Sequence, residues 1–428
     1  MRMPSLPRLF LFVVVYGLLA LFSMSTRDPV THSTIVWPAA GILLGTLMLA
    51  PYRQWPVWAL VTVVLHTGIA LLHGRPLAVS LLLSVINLLI MAGIAGAWRR
   101  RVDEPASLTQ PASLFRFVLL VLVGCVAGAY VSIAGLHGFG FVSARLNPMV
   151  FAISDGVGAL IGAPLVIAWA GFHPARSAGA PRRVAWQGIL GFVALIVSAQ
   201  LAFDGPTATM VLESTKYELS YLPLLFVVLI AMAWQRRGMT LALVVLAGIA
   251  GLNTYQGEGP FAASTGLLGN PLLEVQLYLG AAALLGLLMA AMNASRDEAL
   301  REALAWKVRS EGMLLGTHQL MYEVDPRNGN AVWAGSLDEL LGLAPADLPT
   351  LAAFLDRVHP DDRARVAAYA EQRGNGDVNA LTQRFRFLTG YNDYVVLQDI
   401  GAPVIDFDDT VYRVGGLLRL DEHAVEQG

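Results

Sequence analysis

The sequence predicts a polytopic all-α membrane bundle of about ten transmembrane helices, followed by a C-terminal cytoplasmic α+β domain with an antiparallel sheet. Three observations carry this prediction. Of 428 residues, 56% are hydrophobic and only 14% charged, against about 25% charged in soluble domains, and mean hydropathy is +0.58. Charge is segregated: residues 1–293 carry few ionisable side chains, mostly at the ends of apolar runs, whereas 294–428 are rich in them. Finally, Lys and Arg concentrate in alternate loops between the apolar runs.

A spanning helix needs about 20 mainly apolar residues. The segments 8–24, 35–51, 55–72, 77–97, 114–136, 150–171, 185–203, 218–234, 239–255 and 273–293 qualify. The first has a long apolar core and no small-residue cleavage site after it, so it reads as a signal anchor. With ten spans, Arg2 and Arg8, Arg53, Arg99 to Arg101, Arg176, Arg182 and Arg183, Arg236 and Arg237, and Arg296 and Arg301 share one side with both termini. The opposite loops hold Arg27, Arg75, Arg145 and Lys216. Positive loops face the cytoplasm, which places the charged C-terminal region there. The outer loops, roughly 137–149, 204–217 and 256–272, are too short for a separate receptor domain. A stimulus must therefore act on the bundle, the lipid, a membrane partner or the C-terminal domain.

Within the spans, ionisable groups are costly. Asp155 lies in the outer third of the sixth, and reads either as a ligand or proton site or as a helix-packing acceptor. Asn87, His66 and Gln200 lie in the fourth, third and seventh spans, and Glu274 and Gln276 open the tenth; His66 has the plainer reading of a buried or interfacial histidine. Trp37-Pro38-Ala39-Ala40-Gly41 opens the second span. Proline suits a first helical turn, and tryptophan at that depth fits an interfacial aromatic belt. Gly156, Gly158 and Gly162, with Ala159 and Ala163, form a small-residue face for close helix packing. Gly257-Glu258-Gly259-Pro260-Phe261 reads as a turn. The lone Cys125 sits in an apolar run and reads as a small membrane residue. No Cys/His metal spacing exists, so no metal site is expected. A net charge of -2 offers no basic surface for nucleic acid.

These residues together resemble a family. WPAAG at 37–41, a basic turn before Trp55-Pro56, SDGVGALIGAP at 154–164, Tyr221-Leu222-Pro223, Arg236-Arg237-Gly238 and GEGPF at 257–261 look like the membrane-associated sensor domain of the first MASE type, over roughly 10–295. The resemblance implies a bacterial inner-membrane input module found ahead of histidine kinases, diguanylate cyclases and cyclic-di-GMP phosphodiesterases. On that likeness the candidate ligand-binding residues of the bundle are Trp37, Pro38, Gly41, Asp155, Gly158 and Glu258.

After the bundle (1–293), residues 294–312 have helical composition without proline. Ala299, Ala303, Trp306, Ser310 and Met313 trace a short heptad stripe, either a signalling helix that pairs two subunits or a solvated connector. Residues 313–420 then form the soluble domain, with a tail at 421–428. Residues 318–335 read as two strands around a turn at Pro326–Asn330. Helical stretches follow at Leu337–Leu341 and Ala353–Val358, and a helix opened by His359-Pro360-Asp361-Asp362-Arg363 runs to about Arg373. Asp361 and Asp362 suit its first turn. Strands follow at Leu381–Leu388, Asp393–Gly401 and Thr410–Leu420, giving an α+β order.

This stretch resembles a PAS domain of the subtype with a Val-His-Pro-Asp-Asp-Arg signature, here Val358 to Arg363, together with Tyr322 to Asp325, Trp333 and Arg384-Phe385-Arg386. The resemblance implies small-molecule sensing or signal relay by pairing, and a homodimer through linker and domain. Trp333, His359, Asp361, Asp362 and Arg363 read as structural members of the motif rather than ligand contacts. No haem or flavin is expected, though His359 and His318 are the positions a haem ligand would occupy; no cysteine is present for a flavin adduct. The Asp-Ile-Thr ending common in such domains is absent, which puts coupling through that element in doubt.

No cyclase, phosphodiesterase, kinase or Walker motif occurs, and His423 lacks a phospho-acceptor setting. The expectation is a sensory input protein rather than an enzyme, contacting membrane lipid and a cytoplasmic effector such as a cyclase, kinase or response regulator. The alternatives are the truncated sensor part of a diguanylate cyclase or histidine kinase, and a transporter with a regulatory PAS domain.

Overall fold

The computed structural model describes residues 4–27, 34–100, 108–140, 147–171, 182–205, 219–262, 271–317, 319–377, 382–405 and 410–421. The chain divides into two compact units, Met1–Glu298 and Ala299–Gly428.

The first unit is all helical: α1 Leu6–Ser25, α2 Pro38–Leu49, α3 Trp55–Leu72, α4 Leu77–Arg99, α5 Pro111–Gly138, α6 Pro148–Trp169, α7 Arg182–Phe203, α8 Leu222–Tyr255, the short α9 Gly259–Ala262, and the start of α10 Pro271–Thr317, whose residues from Ala299 belong to the second unit. Eight apolar helices of the described residues are long enough to cross a membrane. The difference from ten has two physical sources. Helix α2 has only 12 residues. Helix α8 has 34, about 51 Å at 1.5 Å per residue, well beyond the ~30 Å hydrocarbon core.

Helix α8 is two limbs. Gln235 leaves helical geometry (φ 51°, ψ -145°), and its neighbours anchor the break at one end of the bundle. Trp234 Nε1 donates to the Val184 carbonyl at 3.1 Å, Arg237 Nε to the Ala168 carbonyl at 3.2 Å, and Gln235 Nε2 to Asp297 at 3.1 Å. The break thus joins the C-terminus of α6, the N-terminus of α7 and residue 297. At the other end, the Gly205 N–H donates to Glu258 at 3.2 Å and Gln276 Nε2 to the Thr34 carbonyl at 3.1 Å. The first limb of α8, 222–234, and α2 are each shorter than a full span, so the described residues hold eight long apolar helices against the ten segments expected. Helix α2 starts beside Ser154, whose carbonyl accepts from the Trp37 N–H at 3.2 Å, and ends at Ala50, whose carbonyl accepts from Arg99 Nη1. Arg99 and Arg237 therefore mark the same end, as the alternating basic loops require.

The small-residue face predicted on α6 packs directly on α2. A Cβ added at Gly41 would lie 2.2 Å from the Gly158 carbonyl oxygen, and one at Gly158 would lie 2.1 Å from that of Trp37. Backbone meets backbone, the geometry that glycine permits in membrane helix pairs. This contact corrects the expectation of an interfacial belt for Trp37. Its side chain is buried, 5% exposed, because the α2–α6 contact draws the first turn of α2 inside.

The second unit carries a five-stranded antiparallel sheet in the order β2-β1-β5-β4-β3, with β1 Gln319–Val324, β2 Ala331–Ala334, β3 Thr382–Leu388, β4 Tyr394–Ile405 and β5 Val411–Leu420. Helices α11 Leu337–Leu341, α12 Leu351–Asp356 and α13 Pro360–Gly374 lie between β2 and β3 in sequence. The alternation read at 383–387 holds: Gln383, Phe385 and Phe387 are buried. They share the inner face with Leu320, Leu397 and Leu418 against Phe354 and Val366. The predicted strands and helices of this unit all appear within a few residues. Helix α10 runs on to Thr317, beyond the expected linker boundary at 312.

Candidate functional site

The bundle contains a partly open cavity of about 60 Å³ lined by Trp37, His66, Arg75, Asn87, Ser154 and Asp155 among others. Five segments supply these six: the start of α2, α3, the turn after α3, α4 and the first turns of α6. Thr34 and Ser154 join across the cavity wall through their hydroxyls at 3.0 Å, and the His66 and Trp37 rings lie 4.9 Å apart. Three buried polar atoms on this lining have no partner: Trp37 Nε1, His66 Nδ1 and Asn87 Oδ1. An unsatisfied polar atom in an apolar interior costs about 1–3 kcal/mol, so three around one space mark a chemically specific place.

Of the bundle residues singled out in the sequence, Trp37 and Asp155 line this cavity. Pro38, Gly41 and Gly158 do not, but they form the α2–α6 contact that fixes Trp37 and Ser154. Glu258 lies elsewhere, accepting the Gly205 N–H at 3.2 Å. The cavity also recruits Arg75, which the sequence presents only as a loop charge.

The second unit holds another cavity, of about 300 Å³, between the sheet and α12–α13. Trp333, Phe354, Val366 and Leu418 form its apolar wall, and Tyr322, Arg373, Gln383 and Asp399 its polar end. Arg373 Nη1 donates to Asp399 Oδ2 at 2.6 Å and to the Tyr322 hydroxyl at 2.8 Å. The Tyr322 hydroxyl donates to Asp399 Oδ1 at 2.8 Å, and Gln383 Nε2 to Oδ2 at 3.3 Å. Burial, then the Asp399 carboxylate, push the Tyr322 phenol well above its ordinary value. The register explains the fit. Tyr322 pairs with Gly416, which pairs with Gly401, and a Cβ at Gly416 would sit 2.5 Å from the tyrosine ring. Two adjacent glycines leave the trough that Tyr322 and the Arg373 guanidinium fill.

The signature residues 359–363 lie outside this cavity. His359 Nδ1 accepts the Asp361 N–H at 3.3 Å and caps α13. Asp362 accepts from Arg386 N at 3.1 Å and Nε at 2.9 Å, which ties the helix start to β3. That pairing holds the Asp362 carboxyl far below the usual carboxylate range. Asp361 pairs with Arg386 Nη2 at 3.3 Å. Arg363 Nη2 donates to the Asp356 and Val358 carbonyls at 2.6 and 3.3 Å. Of the residues read as structural members of the motif (Trp333, His359, Asp361, Asp362 and Arg363), Trp333 alone lines the cavity, anchored by Nε1 to the Leu348 carbonyl at 2.8 Å. His318 lies outside the described residues. Arg373 and Asp399 escape sequence reading, because a helix-end arginine and a strand aspartate ordinarily face water.

Comparison with known proteins bears on both units. The MASE1 family model matches residues 8–297 and a PAS fold model residues 330–418. No curated protein matches. Among solved structures, the N-terminal domain of a diguanylate cyclase with PAS/PAC sensor from Marinobacter aquaeolei is 19% identical, covering 26% of this chain and 99% of its own, with TM-score 0.24. A sensory box histidine kinase/response regulator from Burkholderia thailandensis E264 is 21% identical, covering 28% of this chain and 88% of its own, with TM-score 0.24.

Proposed function

The chain belongs to the MASE1 family, and from that premise we propose that it is a membrane sensor whose bundle or PAS cavity perceives a stimulus and whose linker passes a conformational change to an output partner. One observation carries the reading: a multi-pass membrane sensor domain at 8–297 is followed in the same chain by a PAS fold at 330–418. The output belongs to cyclic-di-GMP or two-component signalling. The protein sits in the bacterial inner membrane, with both termini on the side where Arg99 and Arg237 gather, in keeping with the positive-inside rule.

For a stimulus to act it must bind two conformations with different affinity. Each cavity is walled by several separate elements, so a ligand that contacts them together has a means of favouring one arrangement over another. The linker suits relay by pairing. On α10 the two large apolar residues of the heptad stripe, Trp306 and Met313, are exposed at 69% and 67%. A solvated connector gains nothing from such residues, whereas a paired one buries them.

The test is affinity capture of the full chain after mild solubilisation, with mass spectrometry of what co-purifies. Recovery of a cyclase, kinase or response regulator supports relay to a partner. Recovery of the protein alone across repeated mild solubilisations contradicts it.

A further inference from the structure

We propose that the bundle cavity is a binding site for a small zwitterion bearing one carboxylate and one ammonium group, of the size of glycine, alanine or serine. The inference deepens the sensory reading and rests on it for the consequence of binding, though not for binding itself.

The lining is matched to two opposite charges. Arg75 and the unpartnered Trp37 Nε1 are donors that suit a carboxylate. Asp155 and the unpartnered Asn87 Oδ1 are acceptors that suit an ammonium group. The unpartnered His66 Nδ1 serves either part, according to its tautomer. No ion pair joins Arg75 to Asp155 among the described residues, so the two charges line one space without meeting each other. A lone anion placed there faces Asp155, and a lone cation faces Arg75. A molecule with both charges meets neither penalty, which is discrimination by repulsion as well as attraction. The size agrees: 60 Å³ holds roughly four to six water-sized groups at ~10–15 Å³ each, against five heavy atoms in glycine and six in alanine, with serine's seven at the upper limit. The walls are fixed by backbone contact between α2 and α6 at Gly41 and Gly158, so the site is preformed.

The test is equilibrium binding of radiolabelled glycine, L-alanine and L-serine to the full chain in lipid nanodiscs, with acetate and methylammonium as single-charge probes. At least one amino acid should bind saturably, tenfold or more tighter than either single-charge probe. Asp155→Asn should weaken that binding at least tenfold without weakening acetate. Trp37→Phe, which keeps a packed ring and removes one donor, should weaken it severalfold. The site is overturned if none of the three amino acids binds saturably, if a single-charge probe binds as tightly, or if neither substitution has an effect. Should a variant fail to assemble, the selectivity of the unmodified protein decides alone. Absence of binding overturns the site and leaves the sensory reading to the capture experiment. Tight binding with no partner recovered contradicts that reading and leaves the site standing.

Discussion

Arg373 is 2% exposed, with its charge against Asp399 at the polar end of the PAS cavity. Taking away one member of a buried ion pair strands the other, at a cost of about 3–5 kcal/mol, whereas replacing both with apolar groups is often neutral. Arg373→Met should therefore lower the unfolding midpoint of the PAS unit sharply, and adding Asp399→Leu should recover most of the loss; calorimetry of the full chain reads both. Asp362 is a surface counterpart with a different signature. Its carboxyl titrates below its unfolded value of about 3.9 because Arg386 hydrogen-bonds the charged form. It therefore stabilises the fold above about pH 4, and that contribution disappears as pH falls through the lower folded value. Asp362→Asn should cost on the order of 1 kcal/mol at pH 7, and its difference from the parent should narrow progressively as pH falls below about 4 in thermal melts. A difference that stays constant with pH contradicts the pairing. The two carboxylates were unequally legible in the sequence. Asp362 stands in a helix-start motif, where position alone gives its role. Asp399 lies in a strand whose alternation fixes which face it occupies but not that a buried arginine from another element meets it there.

Close packing of α2 on α6 is the element-scale feature on which the bundle cavity depends. The sequence shows the small-residue face of α6 through the spacing of Gly158 and Gly162. It does not show the partner, because α2 has only 12 residues and no periodic stripe of its own to match. Gly158→Val should disrupt the bundle, since even a Cβ there falls 2.1 Å from the Trp37 oxygen; overpacking of this kind costs about 1–3 kcal/mol or more. Gly156→Ala, two residues away with nothing within 4 Å of its added Cβ, should be neutral or slightly stabilising, as alanine is the better helix former. Folded fraction against denaturing detergent separates the two. Equal loss for both variants contradicts the contact. The division of α8 at Gln235 shows the opposite case. The flanking Arg236 and Arg237 make a turn evident from charge alone, and the backbone leaves helical geometry at the single residue Gln235.

At the scale of the whole molecule, the order of a membrane sensor region and a PAS fold was legible from motif order and from the shift in charge near residue 294. What the sequence leaves open is how the bundle speaks to the linker, since that is a property of two conformations rather than of one chain. The most direct measurement uses a single introduced cysteine, Ala303→Cys, on the exposed face of α10; the one native cysteine, Cys125, is buried. Oxidative cross-linking between copies is followed in native membranes, with and without the small-molecule fraction of a bacterial extract, in the Ala303→Cys protein and again with Asp155→Asn added. A sensor of the kind proposed should cross-link as a dimer at a rate that the extract changes severalfold, and Asp155→Asn should abolish the change. Cross-linking at one rate in all four conditions, or no dimer at all, contradicts the claim that this bundle signals through its linker.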